Sequence, residues 1–284
     1  MRSLSISQQL VSRRAIGAHL THRPLHRFLS TASLAFDHYP PKTTNTSSTP
    51  LVICHGLFGS KQNWRSISKT LAQRLHKDVY ALDMRNHGES SHHPEHNYAA
   101  MAKDVTDFLD SKGINQADLM GHSMGGKVVM TLALSSPSRL SSLTIVDMAP
   151  SNTYANSSYQ SYIQAMKEIE STGVTKVPEA DKILAKRIPD ISLRQFLLTN
   201  LKHVPSSPAL KFRINLTALG EHLEEIWKWN PPPGAQYTGK TLFIAGTKSD
   251  HVPKSVYPKI MEYFPNAEIE LVNAGHWWVN LERL

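Results

Sequence analysis

The chain has 284 residues, 40% of them hydrophobic and 19% charged, with a single cysteine. That is enough for one sizeable core; it excludes a disulfide framework, and no run of about 18 apolar residues offers a membrane span. The formal net charge of +8 points away from nucleic acid once it is located, because residues 1–36 hold five arginines, no lysine and no acid, leaving a near-neutral +3 for the rest.

Residues 1–33 are rich in Arg and Ser and space Leu4, Ile6, Leu10, Val11, Ile16 and Leu20 in register with one helical face. This composition is that of a mitochondrial transit peptide and predicts a matrix location; the apolar core of a secretory signal is missing. Arg27-Phe28-Leu29-Ser30 resembles a matrix-processing site. The mature fold is expected to begin at residue 34, with a strand over Leu34 to Tyr39 and a Pro/Thr/Ser loop to Pro50.

Leu51 to Cys54 reads as a short buried strand opening into the tight loop His55-Gly56-Leu57-Phe58-Gly59-Ser60, and it places Cys54 as a buried thiol. A helix over Trp64 to Leu75, a strand over Val79 to Leu82, and a helix over 98–111 follow. The run Ala117 to Leu134 is the organising stretch. Its centre, Gly121-His122-Ser123-Met124-Gly125-Gly126, has the form G-x-S-x-G between an apolar strand and a helix. Such a turn presents a serine hydroxyl bare above a sheet. Leu143 to Asp147 is another strand, and the alternation predicts a mostly parallel sheet covered by helices on both faces.

The rhythm breaks over 151–236, where only amphipathic helical patterns are visible, and an all-helical lid is expected there between core segments 34–150 and 237–284. Strands over Thr241 to Gly246 and Glu268 to Val272 resume the pattern. Eight residues follow His276, so the helix that ordinarily closes such a fold is expected to be missing or a stub.

Serine needs a base to take its proton and a third group to hold that base. Among fifteen histidines, only His276 follows the last strand, and it is assigned as the base. Two aspartates qualify as the acid: Asp147, ending the strand after the elbow helix, and Asp250, in the loop after the penultimate strand. Both lie at C-terminal strand ends, where open α/β sheets place their sites. The oxyanion donors are expected to be the backbone N–H groups of Met124 and Leu57, with Phe58 as the alternative to Leu57. His55, Phe58 and Trp277 are expected to meet substrate, His55 also bracing its loop. His92, His93 and His96 are read as a solvated loop, with no metal site, and Asp83 to Gly88 as a structural turn.

Together, His55-Gly56-Leu57-Phe58-Gly59-Ser60-Lys61-x-Asn63-Trp64, Asp83-x-Arg85-Asn86-His87-Gly88, Gly121 to Lys127, Val146-Asp147, Leu197-Leu198-Thr199-Asn200-Leu201 and Ala274-Gly275-His276-Trp277 resemble the mitochondrial α/β-hydrolase domain-containing protein eleven family, related to yeast ethanol acetyltransferases. The resemblance covers roughly residues 34–280. It implies an α/β-hydrolase fold and a serine hydrolase for carboxylic esters or thioesters of short acyl groups, needing no cofactor. It also selects Asp147 as the acid. The alternatives are an acyltransferase making ethyl acetate from ethanol, with acetyl-CoA as substrate, and a non-catalytic binding module. Gly126, often replaced in the yeast ester makers, favours the hydrolase.

Overall fold

The structure is a computed structural model that describes residues 31–43, 48–153, 157–205 and 207–276. Within these, strands β1 (Phe36–Tyr39), β2 (Leu51–Cys54), β3 (Val79–Leu82), β4 (Ala117–His122), β5 (Leu140–Val146), β8 (Lys240–Gly246) and β9 (Ala267–Val272) form one seven-stranded sheet in the order β1-β3-β2-β4-β5-β8-β9. Only β1 runs antiparallel, against β3; the other pairings are parallel. Parallel neighbours need crossovers, supplied by α1 (Arg65–Leu75), α2 (Tyr98–Ser111), α3 (Met124–Ser135) and α9 (Tyr257–Tyr263). The short α9, with Pro258 in its first turn, escapes a reading of periodicity.

Strand β2 shows why the sheet is covered on both faces. All four residues are buried; Val52 and Cys54 join the larger core with α2, α3 and the lid, whereas Leu51 and Ile53 join a smaller one with Trp64 and Ala72. Side chains alternate along a strand, so a strand apolar throughout must be sandwiched. Cys54 is fully buried, which pushes its thiol up to about 12 and makes it a packing residue.

Between β5 and β8 lies the insertion: α4 (Ser157–Thr172), α5 (Val177–Ala185), α6 (Ile191–Leu198), α7 (Leu216–Glu221) and α8 (Leu223–Trp227). It is not all-helical. Strands β6 (Leu201–Val204) and β7 (Ser207–Phe212) pair antiparallel as a separate hairpin. Leu193, Leu197 and Leu201 fall at helical spacing, but α6 stops at Leu198 and Leu201 opens β6. In β7 the alternation Leu210-Lys211-Phe212 buries its first and third members, a period-two signal too short to stand out.

The folded body also starts earlier than residue 34. Ala32 is buried and its N–H donates to Asp104 Oδ1 at 2.8 Å, while Ser33 O accepts from Ser91 N–H at 3.2 Å. Residues 1–30, with the expected transit peptide, and 277–284, with Trp277 and the expected stub, lie outside the described residues.

Candidate active site

Strand β4 runs into helix α3 through Ser123, whose backbone is at φ 53°, ψ −115°. The flanking glycines are a steric requirement. A Cβ on Gly121 would stand 2.2 Å from Gly125 O, and one on Gly125 would stand 2.2 Å from Cys54 O. The strand, helix and β2 therefore close up around the serine, and only that hydroxyl is left projecting above the sheet.

His276 Nε2 lies 2.9 Å from Ser123 Oγ, and His276 Nδ1 lies 2.7 Å from Asp147 Oδ2. Nδ1–H donating to the carboxylate leaves Nε2 as an acceptor for the serine proton, the tautomer that general-base chemistry needs. Asp147 is fully buried, which by itself would raise its carboxyl. Hydrogen bonds from His276, Ser249 Oγ and Gly246 N–H outweigh that burial and hold it at about 2. Asp250, the other candidate acid, is exposed in the turn after β8.

Two further histidines frame the pair and were not anticipated. His251 stacks on the His276 ring at 3.7 Å between centroids. His122 Nε2–H donates to His276 O at 3.0 Å. Burial is the main force lowering both, to about 4 for His251 and about 3 for His122, so both are neutral near pH 7 and act as walls. Nothing in sequence spacing announces either contact, because both depend on how the loops after β4, β8 and β9 converge.

Opposite the serine lies the turn Gly56 to Gly59, closed by Gly59 N–H donating to Gly56 O at 2.9 Å. A Cβ on Gly56 would come within 3.1 Å of Ser123 Cβ, so the loop presses directly on the elbow. Leu57 N–H from this turn and Met124 N–H from the first turn of α3, where helical amides lack intrahelical acceptors, are the donors this geometry leaves for an oxyanion. Phe58 N–H is not one, since it donates to His87 Nε2 at 3.2 Å. Phe58 sits at φ 62°, a conformation that costs a bulky residue about 1–3 kcal/mol.

A cavity of about 350 Å³ opens onto Ser123, walled by Leu57, Trp64, Ile67 and Tyr159 and by the Ser192, Gln195, Phe196 and Thr199 face of α6. His55 borders it, but its Nδ1–H donates to Gly56 O and its Nε2 accepts from Met84 N–H, so it braces the loop. Phe58, expected to meet substrate, is fully buried with its ring toward Tyr159, 6.1 Å between centroids, and does not line the cavity. The positive φ turns its side chain into the core. His96, read as solvated, is fully buried beside His87, and burial drives it down to about 3. Among the described residues no group of three or more His, Cys, Asp or Glu is placed to hold a metal ion, and no helix is long and apolar enough to cross a membrane.

The comparisons agree with this architecture. A family model described as alpha/beta hydrolase fold matches residues 49–177. The chain is 42% identical over 258 residues to the sn-1-specific diacylglycerol lipase ABHD11 of Danio rerio, covering 88% of this chain and 79% of that one. It is 39% identical over 251 residues to a probable alcohol acetyltransferase of Saccharomyces cerevisiae, covering 82% and 73%. A solved marine microorganism esterase superposes with a TM-score of 0.80 at 30% identity, covering 87% of this chain and 94% of that one. With the parallel sheet, the strained serine and these relatives in view, the chain belongs to the α/β-hydrolase family that includes ABHD11 and the yeast alcohol acetyltransferases, and it is an enzyme of the hydrolase type.

Proposed function

We propose that the chain is a serine esterase or thioesterase that works through an acyl-enzyme on Ser123, with His276 as general base and Asp147 as the group that orients it. The observation carrying this reading is the unbroken hydrogen-bonded run from Ser123 Oγ through His276 to Asp147, opening onto the cavity. Ser123 Oγ attacks the acyl carbonyl as His276 Nε2 takes its proton; Leu57 and Met124 N–H groups receive the oxyanion. The imidazolium returns the proton to the leaving alcohol or thiol, and water repeats the cycle to release the acid. The largely apolar walls suit an acyl chain, and the name of the ABHD11 relatives supports acylglycerols among the substrates.

Acyl transfer to an alcohol, with acetyl-CoA as donor, is the second reading, favoured by the yeast relative. It uses the same acyl-enzyme with a different acceptor. Gly126 does not discriminate between the two through the cavity: it faces Met148 and Ile145, where a Cβ would approach to 3.1 Å and 3.2 Å. The acid-free, Arg-rich start supports import into the mitochondrial matrix, and the buried Ala32 supports a cut before that residue.

Ser123→Ala is expected to abolish hydrolysis of a short-chain aryl ester and labelling by a fluorophosphonate. Undiminished labelling of the variant sinks the assignment.

A further inference from the structure

The residue next to the oxyanion donor Leu57 is held by three tethers. Phe58 N–H donates to His87 Nε2 at 3.2 Å, and Phe58 O accepts from Asn200 Nδ2 at 2.8 Å. Its ring is fully buried in the main core. A bulky residue stays at φ 62° only where its surroundings over-determine it. The first tether belongs to the core: His87 is fully buried, its Nδ1–H donates to Arg85 O at 2.9 Å, and burial keeps the ring well below its ordinary value, so Nε2 remains an acceptor. The second belongs to the insertion. Asn200 is 2% exposed and sits two residues beyond the end of α6, the helix whose other face roofs the cavity.

We infer that Asn200 is a positioning residue for the oxyanion hole, so that docking of the lid and assembly of the hole are one event. The inference rests on the Ser123 reading above. With Asn200 in place, residue Phe58 is fixed on both sides, at its N–H and at its C=O, and the preceding turn can aim Leu57 N–H at the carbonyl oxygen beside Ser123. Remove the amide donor and the Phe58 carbonyl is left unpaired in a buried site. The turn is then free to relax toward an ordinary φ, which swings Leu57 N–H away. The Asn200 amide donates to Phe58 O and, at 3.4 Å, to Leu197 O, so its loss is aimed at the loop and not at the nucleophile and its base. Lid displacement, by the same contact, leaves a serine whose oxyanion donor is poorly aimed until the lid docks over a bound acyl group.

The test is the full chain carrying Asn200→Asp, which keeps the shape and, at alkaline pH where the carboxyl is ionised, offers no donor. It is assayed on a matched pair, an aryl ester and its thionoester. Thiocarbonyl sulfur is a weak hydrogen-bond acceptor, so a working oxyanion hole favours the oxygen ester and a misaimed one loses that preference. The expected result is a fall in kcat of about 10- to 100-fold on the oxygen ester, KM within about threefold, and a clearly narrowed oxygen-to-sulfur ratio. Asn200→Ser, which leaves the backbone bond from Arg213 N–H to Asn200 O at 2.9 Å, serves if the aspartate variant does not fold. Lys202→Ala, exposed on β6 two residues further along, is the control and should keep the wild-type ratio. An unchanged ratio in the folded Asn200 variant overturns the inference while leaving the Ser123 reading standing. A wild-type chain that neither turns over the ester nor takes the fluorophosphonate overturns both.

Discussion

Asp147 occupies a position that is demanding in backbone and in charge: φ 50°, no exposure, and three donors on one carboxylate. Those donors hold it ionised at about 2, so it keeps His276 oriented throughout the neutral range. Asp147→Asn presents an amide where an acceptor is needed and turns the imidazole to the wrong tautomer. The expected loss in kcat is about 10³–10⁴-fold, against less than about twofold for exposed Asp250→Asn, in the same ester assay. Larger damage from the Asp250 change would reassign the acid. At this scale Ser123 and His276 were readable because a nucleophile elbow and a histidine after the last strand are local patterns. Spacing alone left both aspartates open, since each follows a strand, and it was the family resemblance that selected Asp147; in the structure Ser249 and Gly246 donate to Asp147 while Asp250 is exposed. The contacts of His251, His122 and Asn200 were not legible even where a quoted motif held the residue, because each spans more than 20 residues of chain.

At the scale of elements, the lid is fastened to the core at several places, among them Asn200 on the oxyanion loop and Asn215, whose N–H donates to Asn86 O at 2.9 Å. Another is the C-terminal end of α8, where Lys127 of the elbow helix donates to Ile226 O at 3.3 Å, Trp227 O at 3.1 Å and Thr153 Oγ1 at 3.3 Å, and Tyr98 OH donates to Ile226 O at 2.6 Å. Lys127 is 1% exposed, and burial lowers its amine from 10.5 to about 7. Between those two values the unfolded chain binds a proton that the folded chain does not. Stability due to this residue is therefore lowest below pH 7 and rises with pH through the window up to 10.5. Lys127→Met, which keeps the stem, is expected to flatten that rise. Urea unfolding midpoints of both proteins at several pH values check it, and parallel curves would show that Lys127 is not the source of the rise. A mostly parallel sheet with helices on both faces was legible from strand and helix periods, whereas the strand order comes only from the fold. The hairpin β6–β7 was not, since its first strand, with Lys202 and His203 exposed, carries no continuous apolar alternation.

For the whole molecule, the ion pair between Arg85 and Asp104 is a fully buried polar link between the start of the folded body and the core. Arg85 Nε and Nη2 reach Asp104 Oδ2 and Oδ1 at 2.6 Å and 2.8 Å, and both side chains are wholly buried. Arg85 also donates to Glu95 O and Ala100 O, while Asp104 Oδ1 accepts the N–H of Ala32. One carboxylate thus joins the Asp83 to Gly88 turn, helix α2 and the first residues of the folded body. Burial dominates over the guanidinium and raises Asp104 above its ordinary value, so the pair is not itself a large source of stability. Breaking it is another matter. Asp104→Ala leaves a guanidinium buried with no anion and frees the Ala32 amide, and the expected loss is about 3–5 kcal/mol in urea unfolding. Asp104→Leu combined with Arg85→Met removes both charges and is expected to lose less than either single change. The single variant should also release the segment ahead of β1: limited proteolysis is expected to cut between Ala32 and Phe36 in Asp104→Ala under conditions that leave the parent intact there. Equal resistance in the two proteins would mean that Ser33 and Ala35, bonded to Ser91 and Ser90, hold the segment without help from Asp104.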